Sequence, residues 1–265
     1  MADRIRVGVG GWTFEPWEDG VFFPADLPKS KQLHFASRAL TAIEVNGTYY
    51  STFKPPTFEK WRDQSPEGFV FTIKASRFCT NRKVLSDGAE SIARFTGQGL
   101  EVLGDRLGPI LWQFMATKKF DAEDFEGFLK LLPREAGGVP LRHAVQVRHD
   151  SFHTAQFVDL MRKYGVAVVF ADSGKYPEIA DVTADFVYAR LENAQEDVPT
   201  GYAAAELDRW VQVAKGWAAG AQPQALPYAA PAAPAAVTPR DVFVFMINGA
   251  KVRAPAAATA FIGRL

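Results

Sequence analysis

The chain has 265 residues, 30 acidic and 30 basic side chains, 48% hydrophobic residues and a single cysteine, Cys79. That apolar content supports a large core and one or two domains, one sufficing if the fold is a barrel; the balanced charge gives no general attraction to nucleic acid or anionic membrane, although a local basic patch stays open, and one cysteine excludes an internal disulfide or a thiolate zinc cage. The opening "MADRIRVGVGGW" has no apolar signal core and no stretch approaches the ~20 apolar residues of a membrane span, so the expectation is a soluble cytoplasmic protein with no membrane partner.

Short runs rich in Val, Ile and Phe predict strands. The first, at about 5–9, runs into the aromatic loop "GWTFEPWEDGVFF" and the weak helix "KSKQLHFASRAL". A second strand at 41–46 is followed by "GTYYSTF" and the helix "TFEKWRDQ", and a third at 69–75 by the stretch from Glu90 to Leu103, where Gly97 and Gly99 predict a break. After a fourth strand at 109–114, "DAEDFEGFLKLL" places Phe125, Phe128, Leu129 and Leu132 on one helical face behind Asp121 as N-cap. The fifth strand, 142–148, precedes "TAQFVDLMRKYG", with Phe157, Leu160, Met161 and Tyr164 in helical spacing and Gly165 as the stop. Strands at 166–172 and 185–191 come next, then a helix stacking Leu207, Trp210, Val211, Ala214 and Trp217. An Ala/Pro-rich loop insertion, 218–240, leads to the last strand at 241–247 and a closing helix in "AAATAFIGRL".

Eight strands alternating with helices over this length predict an α/β fold, a single (β/α)₈ TIM-type barrel spanning 1–265. The rival is an open doubly wound sheet, whose glycine fingerprint "GVGGWTF" fails to supply, because Trp12 and Phe14 replace small residues and Pro16 follows. In a barrel, the 218–240 insertion joins a helix to a strand at the N-terminal face and stays away from the chemistry.

The strand ends are unusually polar. Residues two apart share a face, giving Glu44 and Asn46 on the second strand, Thr72 and Lys74 on the third, and Gln113 on the fourth. The fifth adds Gln146 and Arg148, the sixth Val168, Phe170 and Asp172, the seventh Tyr188, Arg190 and Glu192, and the eighth Met246 and Asn248. Outer faces covered by helices should be apolar, so these series are expected to point inward and to converge at the C-terminal mouth. Glu44–Lys74 and Asp172–Arg190 are either structural ion pairs or members of a site. Trp12, Phe14, Trp17, Tyr49 and Tyr50 fall in loops at the same mouth, where they either stack on a sugar or base or form a small loop core. His149 and His153 straddle a turn, which argues against a shared metal; His34 and His143 look incidental. Cys79 lies near Arg77 and Arg82, yet a lone cysteine is more often a passive core residue than a nucleophile.

"GVGGW", "IEVNGTYY", "FTIKASRF", "LGPILWQF", "VRHDSF", "FADS" and "TADFVYARLEN", in this order, resemble the YecE-like family, domain of unknown function 72. The resemblance covers nearly the whole chain. It implies a TIM-type barrel in the structural neighbourhood of xylose isomerase and endonuclease IV, and it implies no established activity. Glu44, Lys74, Gln113, Arg148, His149, Asp172 and Arg190 match the family pattern. Gln146 stands where the family usually has Glu, Glu192 where it has His, and Ile247–Asn248 where it has an Asn pair; a later asparagine is lost within "APAAATA". A carboxylate lost at 146 and gained at 192 reads either as a swap across the mouth or as drift from the family's chemistry.

The function expected is a metal-independent, cofactor-free acid–base enzyme acting on a small anionic polyhydroxylated substrate, sugar- or phosphate-like. Glu44 or Asp172 is the base, Lys74 or His149 the acid, and Arg148 and Arg190 the anion clamp. Trp12, Asn46, Tyr49, Gln113, Gln146, Glu192 and Asn248 complete the binding surface. Should Lys74 sit in a dry interior beside another cation, Schiff-base chemistry comes within reach. Two alternatives stand beside this reading. One is a nucleic-acid-binding or endonuclease IV-like barrel, for which four histidines are too few to build a multi-metal cluster. The other is a non-catalytic metabolite-binding protein. The sequence leaves the oligomeric state open.

Overall fold

A computed structural model describes residues 4–231 and 238–265. Eight strands, β1 (Ile5–Gly10), β2 (Ala42–Val45), β3 (Val70–Lys74), β4 (Leu107–Gln113), β5 (His143–Gln146), β6 (Ala167–Asp172), β7 (Phe186–Leu191) and β8 (Asp241–Met246), close into one barrel. Each pairs in parallel with the next, and β8 returns to pair with β1. The fold is an α/β barrel of the TIM type.

Helices wrap the strands: α1 (Gln32–Ala39), α2 (Pro55–Gln64), α3 (Arg77–Thr80), α4 (Ala89–Thr96), α5 (Ala122–Leu131), α6 (Ala155–Tyr164), α7 (Ala204–Ala218) and α8 (Ala254–Ile262). Their ends follow local chemistry. Asp121 accepts a bond from the Asp124 amide and Thr154 from the Phe157 amide, each satisfying an orphan donor at a helix start. Gly165 takes the left-handed conformation (φ 62°) that stops α6. The stretch after β3 does break: α4 ends at Thr96, and Gly99 (φ 104°) opens a separate 3₁₀ turn over Leu100–Arg106. The connection from β6 to β7 has no α-helix. A small antiparallel ladder, Glu135–Ala136 with Val139–Pro140, precedes β5 and was not expected. No described helix is long and apolar enough to cross a membrane.

The core has two compartments. Ala42, Val70, Leu111, Ala144, Val169, Tyr188, Phe243 and Phe245 fill the barrel interior, while a larger cluster lies between strands and helices. On β2 to β5 and β7 the inward face is the one the polar series predicts. On β6 and β8 it is the opposite one. Val168 and Phe170 face outward, with Phe170 5.6 Å from Trp210 and 5.8 Å from Trp217 of α7. Ala167 and Val169 face inward instead. On β8, Phe243, Phe245 and Ile247 point in and Met246 packs outside. Both strands are apolar on both faces, so polarity carries no phase information there; side-chain volume decides.

Part of the 218–240 segment is anchored beneath the barrel. The Ala229 amide donates to Asp181 Oδ2 (2.7 Å) and the Ala180 amide to the Pro227 carbonyl (2.8 Å). Thr183, beside them, caps the start of β6 through the Val166 carbonyl (2.6 Å). Residues 232–237 of the predicted insertion lie outside the described residues.

Candidate functional site

Above the apolar interior the barrel ends in a layer of charge. Glu44, fully buried on β2, is gripped from β7 by Arg190, whose Nε and Nη2 donate to Oε2 and Oε1, each at 3.1 Å. Tyr188 Oη donates to Glu44 Oε2 (2.7 Å); with its one proton used, it accepts from Thr72 Oγ1 (3.0 Å). Arg190 Nη1 donates to Glu192 Oε1 (2.9 Å) and Gln146 Oε1 (2.6 Å). Gln113 Nε2 also donates to Gln146 Oε1 (2.6 Å), and Asn248 Nδ2 donates to Glu192 Oε2 (3.1 Å). Asn248 gets there although its strand runs in the opposite phase, because it takes φ 61° and Gly249 follows at φ 57°, turning the chain over the mouth.

Positions 146 and 192 both belong to this network. Gln146 and Glu192 accept from the same guanidinium nitrogen. Positions 146 and 192 thus face the same group across the mouth.

Burial alone would raise the Glu44 pKa, but Arg190 and Lys74 outweigh it and hold the carboxyl below its ordinary value. Burial would likewise lower Arg190, and Glu44 and Glu192 reverse that direction. The pair is therefore locked in its ionised form with its hydrogen-bonding capacity largely taken up. Such a group makes a fixed counter-charge and a poor proton acceptor.

Lys74 and Arg148 differ from this pair. Lys74, on the inward face of β3, makes no hydrogen bond from Nζ to any described residue; Nζ lies 4.5 Å from the centre of the Tyr49 ring. Burial, opposed by Glu44 and assisted by Arg190 and Arg148, brings its pKa down to about 8. Arg148 stacks 4.7 Å over Tyr176, and its Nε is buried with no partner. Burial and then Arg190 push its pKa down as well.

These side chains open onto a cavity of about 640 Å³. One wall is aromatic, with Trp12 edge-on to Trp61 at 5.3 Å and Phe14 beside Trp17. The other carries Lys74, Gln113, Arg148, Arg190, Asn46 and Asn248, and none of the lining residues is an aspartate or glutamate. Lys251, on the rim after β8, sits 4.2 Å over Phe14, and its carbonyl holds Trp17 Nε1 at 2.9 Å. Sequence reading passed over Lys251. Its position in the loop after the last strand, which a barrel turns towards the mouth, was the available signal.

Several expected members lie elsewhere. Asp172 follows the outward phase of β6, away from Arg190; its pKa is raised, by burial first and by Glu178 next. His149 accepts from the Ser151 amide through Nδ1 (3.1 Å), capping a 3₁₀ turn, and does not line the cavity. Tyr49 supports Lys74, while Tyr50 lines the cavity. His34 and His153 are exposed. His143 lies at the start of β5, bridging Trp112 Nε1 (3.1 Å) and the Pro133 carbonyl (2.7 Å). The buried Cys79 thiol bonds the Ser91 carbonyl, and burial pushes it up to about 12. Among the described residues, no three His, Cys, Asp or Glu side chains are grouped to hold a metal ion.

The family model described as "Protein of unknown function DUF72" matches residues 6–265. A DUF72 family protein from Thermotoga maritima superposes with a TM-score of 0.72 at 22% identity over 97% of both chains. One from Enterococcus faecalis gives 0.67 at 16% identity, over 97% of this chain and 95% of that one. SacUVDE gives 0.54 at 9% identity over 99% of both chains. At these identities the structural likeness speaks for the fold alone. No curated protein matches the chain. With a family match running from β1 to the C-terminal residue, the chain belongs to the DUF72 family.

Proposed function

We propose that the barrel mouth binds a small anionic polyhydroxylated compound, sugar- or phosphate-like, and transforms it by acid–base chemistry centred on Lys74. The observation that carries this reading is the charge of the wall: Lys74, Arg148, Arg190 and Lys251 line the cavity and, among the described residues, no carboxylate does. Arg190 is already neutralised by Glu44 and Glu192. Lys74 and Arg148 are not hydrogen-bonded to any acceptor among the described residues, and such cations in a half-dry cavity draw an anion. Arg148 offers the fork for a carboxylate or phosphate. Gln113, Asn46 and Asn248 are placed for hydroxyls, and the Trp12 wall for the apolar face of a ring. Lys74, titrating near 8, exchanges protons at neutral pH where an ordinary lysine does not. Glu44 serves as its fixed counter-charge; Asp172 and His149 take no part.

Thermal-shift measurements with phosphate, sulfate, sugar acids and matched neutral sugars test the binding. The anions are expected to raise the midpoint, and Arg148→Ala to abolish the rise. Equal shifts with neutral sugars would remove the anion site. A binder that also catalyses proton exchange will carry solvent deuterium into its ligand with an apparent pKa near 8. A non-catalytic metabolite binder will not.

A further inference from the structure

We infer that Lys74 is a covalent nucleophile, forming a Schiff base with a small oxo acid whose carboxylate rests on Arg148. This deepens the anion-binding reading and rests on it for the Arg148 contact.

Three features of the geometry favour it. The first concerns the carboxylates around Lys74. A lysine bonded to a carboxylate keeps its third proton; here both nearby acids, Glu44 and Glu192, are held by Arg190, leaving Nζ with no hydrogen-bond acceptor among the described residues. Two guanidinium groups, Arg190 and Arg148, repel its ammonium. Desolvation beside other cations is the ordinary way a lysine is made nucleophilic. At a pKa of about 8, roughly a tenth of Lys74 is neutral at pH 7, against less than about a thousandth for an ordinary lysine.

The second is the spacing of the partners. Lys74 ends β3 and Arg148 follows β5, so only β4 separates them, about 10 Å at the backbone. Both side chains are long and both reach the same cavity, with Gln113 of β4 between them. A molecule with a carbonyl next to a carboxylate spans that gap. The rest of the molecule then meets the aromatic wall.

The third is Tyr49. Its ring face, 4.5 Å from Nζ, stabilises a positive charge at that place. The charge is present in the ammonium and again in the iminium, so the ring supports the intermediate as well as the resting residue.

The step balances without any other reactant. The neutral amine attacks the carbonyl carbon to give a carbinolamine. Its hydroxyl and the remaining proton on nitrogen leave as water, and the imine takes one proton from solvent to become the iminium. That iminium then draws electrons from the neighbouring carbon, which is how a lysine performs acid–base chemistry on a carbon acid.

Borohydride reduction of the full-length protein with pyruvate, glyoxylate or 2-oxoglutarate tests this, because hydride addition to the iminium leaves a stable secondary amine. Intact mass is expected to rise by that of the oxo acid less one oxygen, and peptide mapping to place the adduct on Lys74. Lys74→Arg should lose it. Arg148→Met should need roughly tenfold more oxo acid for half-labelling. Labelling spread over surface lysines, unchanged in Lys74→Arg, would overturn the inference. Should phosphate and sugar acids stabilise the protein while no adduct forms at Lys74, the anion site stands and the nucleophile falls. An adduct at Lys74 that does not depend on Arg148, in a protein indifferent to anions, would keep the nucleophile and remove its anchor.

Discussion

At Lys74 two opposing forces can be separated by pH. Burial disfavours the ammonium and Glu44 favours it, and burial wins, leaving a pKa near 8 against the ordinary 10.5. The folded protein therefore binds fewer protons at this residue than the unfolded chain between pH 8 and 10.5. Below pH 8 the buried ammonium costs about 3 kcal/mol of folding stability, and that cost fades as pH rises through the window. Lys74→Met is accordingly expected to stabilise the protein at pH 7, by about 1–3 kcal/mol in urea unfolding. The gain should vanish above pH 10.5. A loss at pH 7 would make Lys74 a structural plug. Glu44→Gln should act in the opposite sense. It leaves the buried Arg190 with one carboxylate in place of two, at a cost of about 3–5 kcal/mol. It also removes the charge that raises Lys74, so the midpoint of Lys74 labelling against pH should move below 8.

At the scale of elements, the mouth was legible where a strand carries polar groups along one face. Thr72 and Lys74 fixed the phase of β3, Gln146 that of β5, and Tyr188, Arg190 and Glu192 that of β7; all of these but Lys74, which lines the cavity with Arg190, join through Glu44 in one hydrogen-bonded network. β6 has one polar residue, Asp172, at the end of a run apolar on both faces, and there alternation pointed the wrong way. What decides the phase is packing: Phe170 lies against Trp210 and Trp217 of α7, while the smaller Val169 faces the interior beside Tyr188. Such a packing constraint is spread over three elements and cannot be read from one. Asp172→Asn is therefore expected to leave anion affinity unchanged in the thermal-shift titration, and a loss would place the β6 carboxylate in the mouth after all. Close approach of β1 to β2 was equally hidden. A Cβ on Gly8 would stand 1.9 Å from the Ala42 carbonyl oxygen, so the first two strands can pair only if residue 8 has no side chain. Gly8→Ala should reduce the soluble, folded yield sharply, read by circular dichroism.

Across the whole molecule the two ends of the barrel have opposite tasks. At the mouth Lys74 and Arg148 have no hydrogen-bonded acceptor among the described residues, whereas at the far end Arg142 is paired with Asp241 (2.8 Å) and lies over the Phe186 and Phe243 rings, and His143 sits beside it between Trp112 and Pro133. Burial lowers the His143 pKa to about 4, against the ordinary 6.5. Unfolded chain thus binds more protons than folded protein between pH 4 and 6.5. Stability is complete above that window and falls as pH drops through it, by up to about 3 kcal/mol from this residue. Protonation would also take the lone pair that accepts from Trp112, so the cost is local to the β4–β5 seam. Because β8 closes on β1, a weakened seam has no free edge at which to open alone, and we propose that the chain unfolds as one unit. The acid limb of the urea midpoint should then be the same by tryptophan fluorescence and by far-ultraviolet circular dichroism. His143→Gln should flatten it, since an amide keeps both bonds without titrating. Separate transitions by the two probes would show that the far end melts while the mouth survives, and the ligand-induced shift in midpoint would then report only on part of the barrel.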